Sequence, residues 1–371
     1  MGLKKVGDSF ESTSSITCPE VRMEHDGFSG PCFFRKKERE YNRTIKTKKE
    51  AEIMKKTIII AQNINEELKK EVEEAAPDYK IITGKDKSTW EPYINDAEII
   101  AGWKPKMAES LIEKAPLQWI QTWSAGVDQL PLEDYKRKGY KVTSANGVHA
   151  YPISETIFAF LLGWTRKLHT YVRQQEKKTW HHAHLKKEMH EKAVLIYGMG
   201  AIGKETAKIA KAFGMHVAGV RRTVKNTPYT DEVMTFEETA EKLPEYDYIV
   251  NTLPSTKETK HLFSETIFEK MNPETFFVNI GRGDTVDEKA LIAALEQENI
   301  AGAGLDVFTE EPLPEDHPFW TMENVIMTPH TAGSTEKYNE RVIRDIFIPN
   351  LQAYTENKEL PVNVVDYEAG Y

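Results

Sequence analysis

The chain has 371 residues, 40% hydrophobic and 29% charged, with 49 Lys and Arg against 58 Asp and Glu for a formal net charge of −9. At roughly 100–200 residues per domain this length suggests two or three domains, and the composition excludes collagen-like, disulfide-scaffold and wholly disordered chains. The acidic balance argues against a nucleic-acid or anionic-membrane surface as the main partner, no apolar run approaches the ~20 residues of a membrane span, and two cysteines without CxxC spacing (Cys18 and Cys32) point to a reducing, cytoplasmic setting.

Residues 1–53 mix charge with Ser, Thr and Gly and show neither a helical nor a strand period. They carry 11 basic and 9 acidic residues, leaving −11 for residues 54–371. They are expected to form a flexible N-terminal extension without a signal core, so a chain beginning at Met54 should keep its activity. From Met54 strands and helices alternate. Strands are predicted at 57–61, 80–83, 98–101, 119–122 and 141–143, with Asn65 capping a helix whose Leu68, Val72, Ala75 and Ala76 share a face. Further helices are predicted at 105–114 and 131–138, each opened by proline, which suits a first helical turn. One long helix should start after Tyr151-Pro152 and run through ISETIFAFLLGWTRKLHTYVRQQ.

A second series then has strands predicted at 193–197, 216–220, 247–252, 275–280, 301–305 and 325–327. Its helices are predicted at 202–213, 264–270, 287–298 and about 334–355. Such alternation implies parallel sheets covered by helices on both faces. Between the first of these strands and its helix lies GMGAIG, a GxGxxG run of Gly198, Gly200 and Gly203. The first glycine permits a tight turn, the second lets backbone approach a pyrophosphate, and the third lets helix and strand pack closely, with the helix N-terminus facing the negative charge. Dinucleotide binding is the function this context implies.

Three later segments bear chemistry. Arg282 lies between two glycines in FFVNIGRGDTVDEKAL, Asp306 and then Glu310-Glu311-Pro312 lie in AGAGLDVFTEEPLPEDHP, and His330 lies in NVIMTPHTAGST. Each follows the C-terminal end of a predicted strand, where open α/β sheets bind ligands. An arginine there can hold a carboxylate bidentately, a histidine can give a proton to a forming alkoxide, and a nearby carboxylate favours the imidazolium. The set suits reduction of a 2-keto acid by hydride from a nicotinamide. His181, His182 and His184 have no metal-ligand spacing, and no metal site is expected.

With GMGAIG, NIGRGDTVDEKALIAAL, GAGLDVFTEEPLP and PHTAGST in this order, the chain resembles the D-isomer-specific 2-hydroxyacid dehydrogenases across about residues 54–371. The resemblance implies an α/β fold: a Rossmann-type dinucleotide-binding domain at 152–333, and a flavodoxin-like substrate domain made of 54–151 and 334–371, both with parallel sheets. It implies Arg282, Glu311 and His330 as the catalytic set. The implied cofactor residues are Gly198, Gly200, Ala201, Ile202, Gly203, Arg221, Arg222, Thr223, Leu253, Pro254, Thr259, Ile280 and Asp306, the last binding the nicotinamide carboxamide. The implied substrate residues are Trp103, Ala125 and Gly126, from IIAGWKP and the AGVD turn, together with Arg282 and His330.

Family spacing from Gly203 puts Arg221 where an NAD enzyme keeps an acid for the ribose hydroxyls, with Arg222 and Thr223 following and no acid before Asp231. NADP(H) is therefore expected in preference to NAD(H). The segment TWHHAHLKK and the tail VVDYEAGY resemble glyoxylate/hydroxypyruvate reductases. Phosphoglycerate and D-lactate dehydrogenase types are the enzyme alternatives, and a dinucleotide-sensing corepressor is the alternative outside enzymes. The resemblance also implies a homodimer, with the long helix after Pro152, apolar nearly all round, in the contact.

Overall fold

The computed structural model describes residues 56–127, 129–182 and 185–368. The expected extension at 1–53, Asp128 of the AGVD turn, and His184 lie outside the described residues.

Five strands, β1 (Lys56–Ile60), β2 (Tyr79–Thr83), β3 (Ala97–Trp103), β4 (Trp119–Thr122) and β5 (Lys141–Thr143), form a parallel sheet in the order β2-β1-β3-β4-β5. Successive side chains of β1 enter opposite cores: Ile58 and Ile60 pack on one face and Ile59 on the other, as the period of two requires. Asn65 accepts the Leu68 N–H at 2.9 Å and caps the helix Glu66–Ala75, which buries Leu68 and Val72 on this sheet.

Seven further strands, β6 (Ala193–Tyr197), β7 (His216–Val220), β8 (Glu232–Met234), β9 (Tyr248–Asn251), β10 (Phe276–Asn279), β11 (Gly302–Leu305) and β12 (Val325–Met327), form a second parallel sheet, ordered β12-β11-β10-β9-β6-β7-β8. Strand order reverses between β6 and β9. That is the switch point at which doubly wound sheets hold ligands beyond their carboxyl ends. Helices Ala201–Ala212 and Glu288–Glu296 belong to the crossovers of this sheet.

Four elements depart from expectation. The edge strand β8 was not anticipated. The helix expected after Pro152 begins at Ala150, with Pro152 in its first turn, and ends at Thr165. Lys167 takes a left-handed φ of 56°, and a separate helix runs Leu168–Glu176. His169 folds back onto the first helix, its ring stacked on Trp164 at 5.3 Å and its Nδ1 3.0 Å from the Gly163 carbonyl. The helix expected at 105–114 is a 3-10 turn, Pro105–Ser110. The last helix runs Tyr338–Thr355 with a π segment at Val342–Phe347, just before Pro349. Proline lacks an N–H and clashes with the carbonyl four residues back, and a π turn is a way to absorb that defect.

The last helix packs Ile343, Phe347 and Leu351 on the five-stranded sheet, with Phe347 stacked on Trp119 at 5.2 Å. The apolar run Ile157, Phe158, Phe160 and Leu161 is buried against the seven-stranded sheet in a cluster with Val194, Ile196 and Val278. The chain itself thus covers the faces that had been expected to call for a partner. Among the described residues no helix is long and apolar enough to cross a membrane.

Candidate active site

The glycine turn follows β6 at the switch point. Gly198 has φ of +96°, a region side chains rarely adopt. A Cβ on Gly203 would overlap the carbonyl oxygen of Gly198, so the helix Ala201–Ala212 lies directly against the turn. Gly200 stands at the N-cap without a side-chain cap, and a Cβ there would meet nothing within 4 Å. Protein packing therefore does not demand glycine at 200. The open space lies at a helix start where Ala201, Ile202 and Gly203 present first-turn N–H groups. Such a cradle fits a dinucleotide pyrophosphate.

At the end of β7, Arg221 keeps the sheet pairing through its N–H to the Met234 carbonyl at 3.1 Å. Its guanidinium donates to Thr227 Oγ1 at 3.3 Å. Arg222 lies 3.9 Å from Glu258 of the loop after β9, and Thr223 is exposed. Asp231, the next acid in sequence, accepts the Val217 N–H at 2.8 Å near the start of β7 and pairs with Lys211 at 2.9 Å, so it is committed at the other end of the strand. In the loop after β9, Leu253 donates its N–H to Asn251 and is buried, and Pro254 is exposed. The Thr259 hydroxyl donates to the Pro254 carbonyl at 2.6 Å, closing the loop on itself.

The turn bearing Arg282 is fixed by a network absent from the sequence expectation. Asn251 at the end of β9 donates to Asn279 at 2.9 Å and to Thr285 at 2.7 Å. Asn279 and Thr285 in turn donate to the Arg282 carbonyl at 3.2 and 2.6 Å. Ile280 is buried beside them, and a Cβ on Gly283 would overlap the carbonyl of Phe308, so this turn lies hard against the next loop. The legible signal was asparagine ending two buried strands, in YIVN and FFVN. Buried polar side chains at strand ends need partners. The network leaves the Arg282 side chain exposed, its Nη1 donating to the Gly281 carbonyl at 2.8 Å.

Asp306, at the end of β11 and only 2% exposed, organises the histidine loop. Its carboxylate accepts from the Thr328 hydroxyl at 2.6 Å and from the N–H groups of Thr331 and Ala332 at 2.9 and 3.1 Å. Its carbonyl accepts the His330 N–H at 2.8 Å. These contacts hold His330 at a left-handed φ of 53°, a strained conformation for a non-glycine residue.

His330 Nδ1 lies 2.7 Å from Glu311 Oε2, with side-chain exposures of 52% and 35%. Glu311 Oε1 accepts the Phe308 N–H at 3.0 Å, so one carboxylate oxygen is anchored and the other faces the imidazole. With Nδ1 so engaged, Nε2 is the ring nitrogen left for a substrate. Burial works to raise the Glu311 carboxyl, but hydrogen bonds from His330 and the Phe308 N–H and the charges of His330 and Arg282 hold it below the ordinary glutamate value. The sign follows. Stability gained from ionised Glu311 is present above the ordinary value and is lost as pH falls through the lowered one. Glu310, the neighbouring acid, is exposed.

Of the expected substrate residues, Ala125 and Gly126 are exposed in the turn after β4, where the Ser124 hydroxyl donates to the Gly126 carbonyl at 2.9 Å. Trp103 is different. Its indole is buried, donates to the Tyr135 hydroxyl at 2.8 Å and meets that ring edge-on, so it serves as a core anchor for the loop after β3. The structure thus brings Arg282, Glu311 and His330 to one edge of the seven-stranded sheet and turns Trp103 inward.

Known proteins resemble this chain in sequence and fold. The family model described as D-isomer specific 2-hydroxyacid dehydrogenase, NAD binding domain, matches residues 158–332. A glyoxylate reductase of Pyrococcus furiosus is 34% identical over 272 residues, which span 71% of this chain and 80% of that protein. A crystal structure of a D-isomer specific 2-hydroxyacid dehydrogenase family protein from Aeromonas salmonicida superposes with a TM-score of 0.70 at 32% identity, covering 84% of this chain and 99% of that one. An NADPH-dependent glyoxylate/hydroxypyruvate reductase from Sinorhizobium meliloti, solved with NADP and sulfate, gives a TM-score of 0.69 at 26% identity, covering 85% of this chain and all of that one.

Proposed function

The chain belongs to the D-isomer specific 2-hydroxyacid dehydrogenase family, and on that premise we propose that it reduces a small 2-keto acid of the glyoxylate or hydroxypyruvate type to the D-2-hydroxy acid, preferring NADPH. It is an NAD(P)-dependent oxidoreductase with a Rossmann-type fold. The observation that carries the finer reading is the 2.7 Å His330–Glu311 pair on the same sheet edge as Arg282 and the glycine turn.

The dinucleotide, when bound, supplies the hydride. Gly198, Gly200, Ala201, Ile202 and Gly203 would hold its pyrophosphate, with Leu253, Pro254, Thr259 and Ile280 along its path. Asp306 acts through the loop it anchors and stands near the nicotinamide end. Arg282 holds the substrate carboxylate and polarises the adjacent carbonyl, and Ala125 and Gly126 meet that carboxylate from the opposite loop. His330 gives the proton from Nε2 to the alkoxide oxygen, and Glu311 keeps the ring oriented.

Arg221, Arg222 and Thr223 support the NADPH preference. They offer two guanidiniums and a hydroxyl where an acid would repel a 2′-phosphate, with Asp231 engaged elsewhere. Glyoxylate, hydroxypyruvate, pyruvate and phenylpyruvate assayed with NADPH and NADH test the whole reading. We expect kcat/KM to favour NADPH by about tenfold or more, equivalent to about 1.4 kcal/mol, and Arg221→Asp with Arg222→Ala to reverse the preference. Equal efficiency with both would overturn the cofactor assignment, and no turnover with any acid would overturn the reaction.

Exposed Leu168, Val172 and Trp180 support a homodimer, although Ile157, Phe158, Phe160 and Leu161 of the helix Ala150–Thr165 are already buried by their own chain. Light scattering at micromolar concentration should give twice the chain mass, and a monomer would refute the assembly. Two cysteines, Cys18 and Cys32, fit a cytoplasmic location.

A further inference from the structure

Between β12 and the loop carrying Glu311 lies a pocket of about 680 Å³ with Glu311 and His330 in its wall. The rest of its surface is mainly apolar. Phe308 and Leu313 come from the loop after β11, Trp320 from the turn Pro318–Trp320, and Met327 from the end of β12. Phe308 belongs to the buried core of the seven-stranded sheet, and Leu313 and Met327 pack against it, so this part of the wall is firmly seated.

Trp320 is 56% exposed, yet its indole N–H donates to the Pro314 carbonyl at 2.8 Å. The ring is fixed with apolar surface in water. An apolar group entering the pocket would remove that surface from solvent. The volume falls within the ~300–1,000 Å³ of small-molecule sites and is far more than a methyl group fills.

Resting on the reaction proposed above, we propose that this pocket receives the side chain of the keto acid, and that the protein reduces 2-keto acids with apolar side chains of leucine or phenylalanine size ahead of pyruvate. The orientation follows from charge and reach. A carbonyl oxygen hydrogen-bonded to His330 leaves the two carbons flanking that carbonyl to point in different directions. The carboxylate is repelled by ionised Glu311 in the pocket wall and turns toward Arg282. The side chain is left to the apolar side, among Phe308, Leu313, Met327 and the face of Trp320. Glyoxylate has no side chain and is an aldehyde of different intrinsic reactivity, so the comparison belongs within the ketones.

The test uses the full chain with NADPH and the series pyruvate, 2-oxobutyrate, 4-methyl-2-oxopentanoate and phenylpyruvate. At about fourfold per buried methylene, the three added carbons of 4-methyl-2-oxopentanoate should raise kcat/KM over pyruvate by roughly ten- to fiftyfold. Trp320→Ala removes an exposed ring and should fold. It should cut that ratio severalfold, as should Leu313→Asn, and the ratio of efficiencies is the readout. A flat or falling series while glyoxylate or pyruvate is still reduced overturns the pocket and leaves the reaction standing. A rising series that Trp320→Ala and Leu313→Asn leave untouched also overturns it, placing the apolar subsite elsewhere. A flat series with Trp320→Ala lowering the mass in light scattering would show that a second copy covers the pocket, which equally overturns the proposal. No reduction of any keto acid with either cofactor defeats both.

Discussion

Replacing His330 with alanine is expected to lower kcat by about 10²–10⁴-fold while NADPH affinity, followed by fluorescence titration, stays nearly constant. The magnitude is that of a positioned proton donor. The position is built by the fold: Asp306 holds the loop through the N–H groups of Thr331 and Ala332, and Glu311 holds the ring at 2.7 Å. Neither contact belongs to the glycine turn, so the cofactor cradle should survive the substitution. A variant with near-normal kcat would remove His330 from the mechanism. Glu311→Gln gives the companion result. It keeps an acceptor oxygen for the Phe308 N–H and removes the carboxylate that holds His330 Nδ1, so kcat should fall while NADPH affinity stays nearly constant. An unchanged kcat would dissolve the pair.

Arg282→Lys is expected to reduce kcat/KM for the keto acid by roughly 10–150-fold, with KM raised and kcat lowered, because a charge-assisted bond is worth about 1.5–3 kcal/mol and an ammonium cannot reproduce a planar fork. The main chain of this turn is held through the Arg282 carbonyl by Asn279 and Thr285, not through the guanidinium. Thermal stability should therefore hardly change, which separates lost substrate binding from a collapsed loop. Equal kinetics with lysine would place the carboxylate clamp elsewhere.

The strands were legible because parallel sheets covered on both faces read as short apolar runs. Ala193–Tyr197, His216–Val220, Trp119–Thr122, Lys141–Thr143 and Val325–Met327 lie where the pattern places them. The chemical residues were legible for a related reason. Arg282, Asp306 and His330 each lie within three residues of the end of such a run, so recognising the strand also located the residue beyond its carboxyl end. The glycine spacing was equally local, since turn, close approach and helix start all fall within six residues, Gly198–Gly203.

Elements without a local cause were not legible. β8 is three residues long and stands only because β7 pairs with it, while Lys242 and Tyr246 hold Glu232. The break at Lys167 depends on His169 stacking on Trp164, and nothing in an unbroken helical pattern announces a side chain folding back. Trp103 could be read as facing substrate or core until Tyr135, distant in sequence, supplied the acceptor that turned it inward.

The two-sheet α/β class, the dinucleotide turn and the residues proposed to handle proton and carboxylate could all be read from the chain alone, because each is written in contiguous residues. How those residues are held emerges only in the folded chain. Asn251 reaches from the end of β9 to Asn279 and Thr285 on either side of Arg282, and Asp306 spans more than twenty residues of chain to set the histidine loop. Positioning is a matter of distances between segments, and such distances exist only once the strands have taken their places in the sheet.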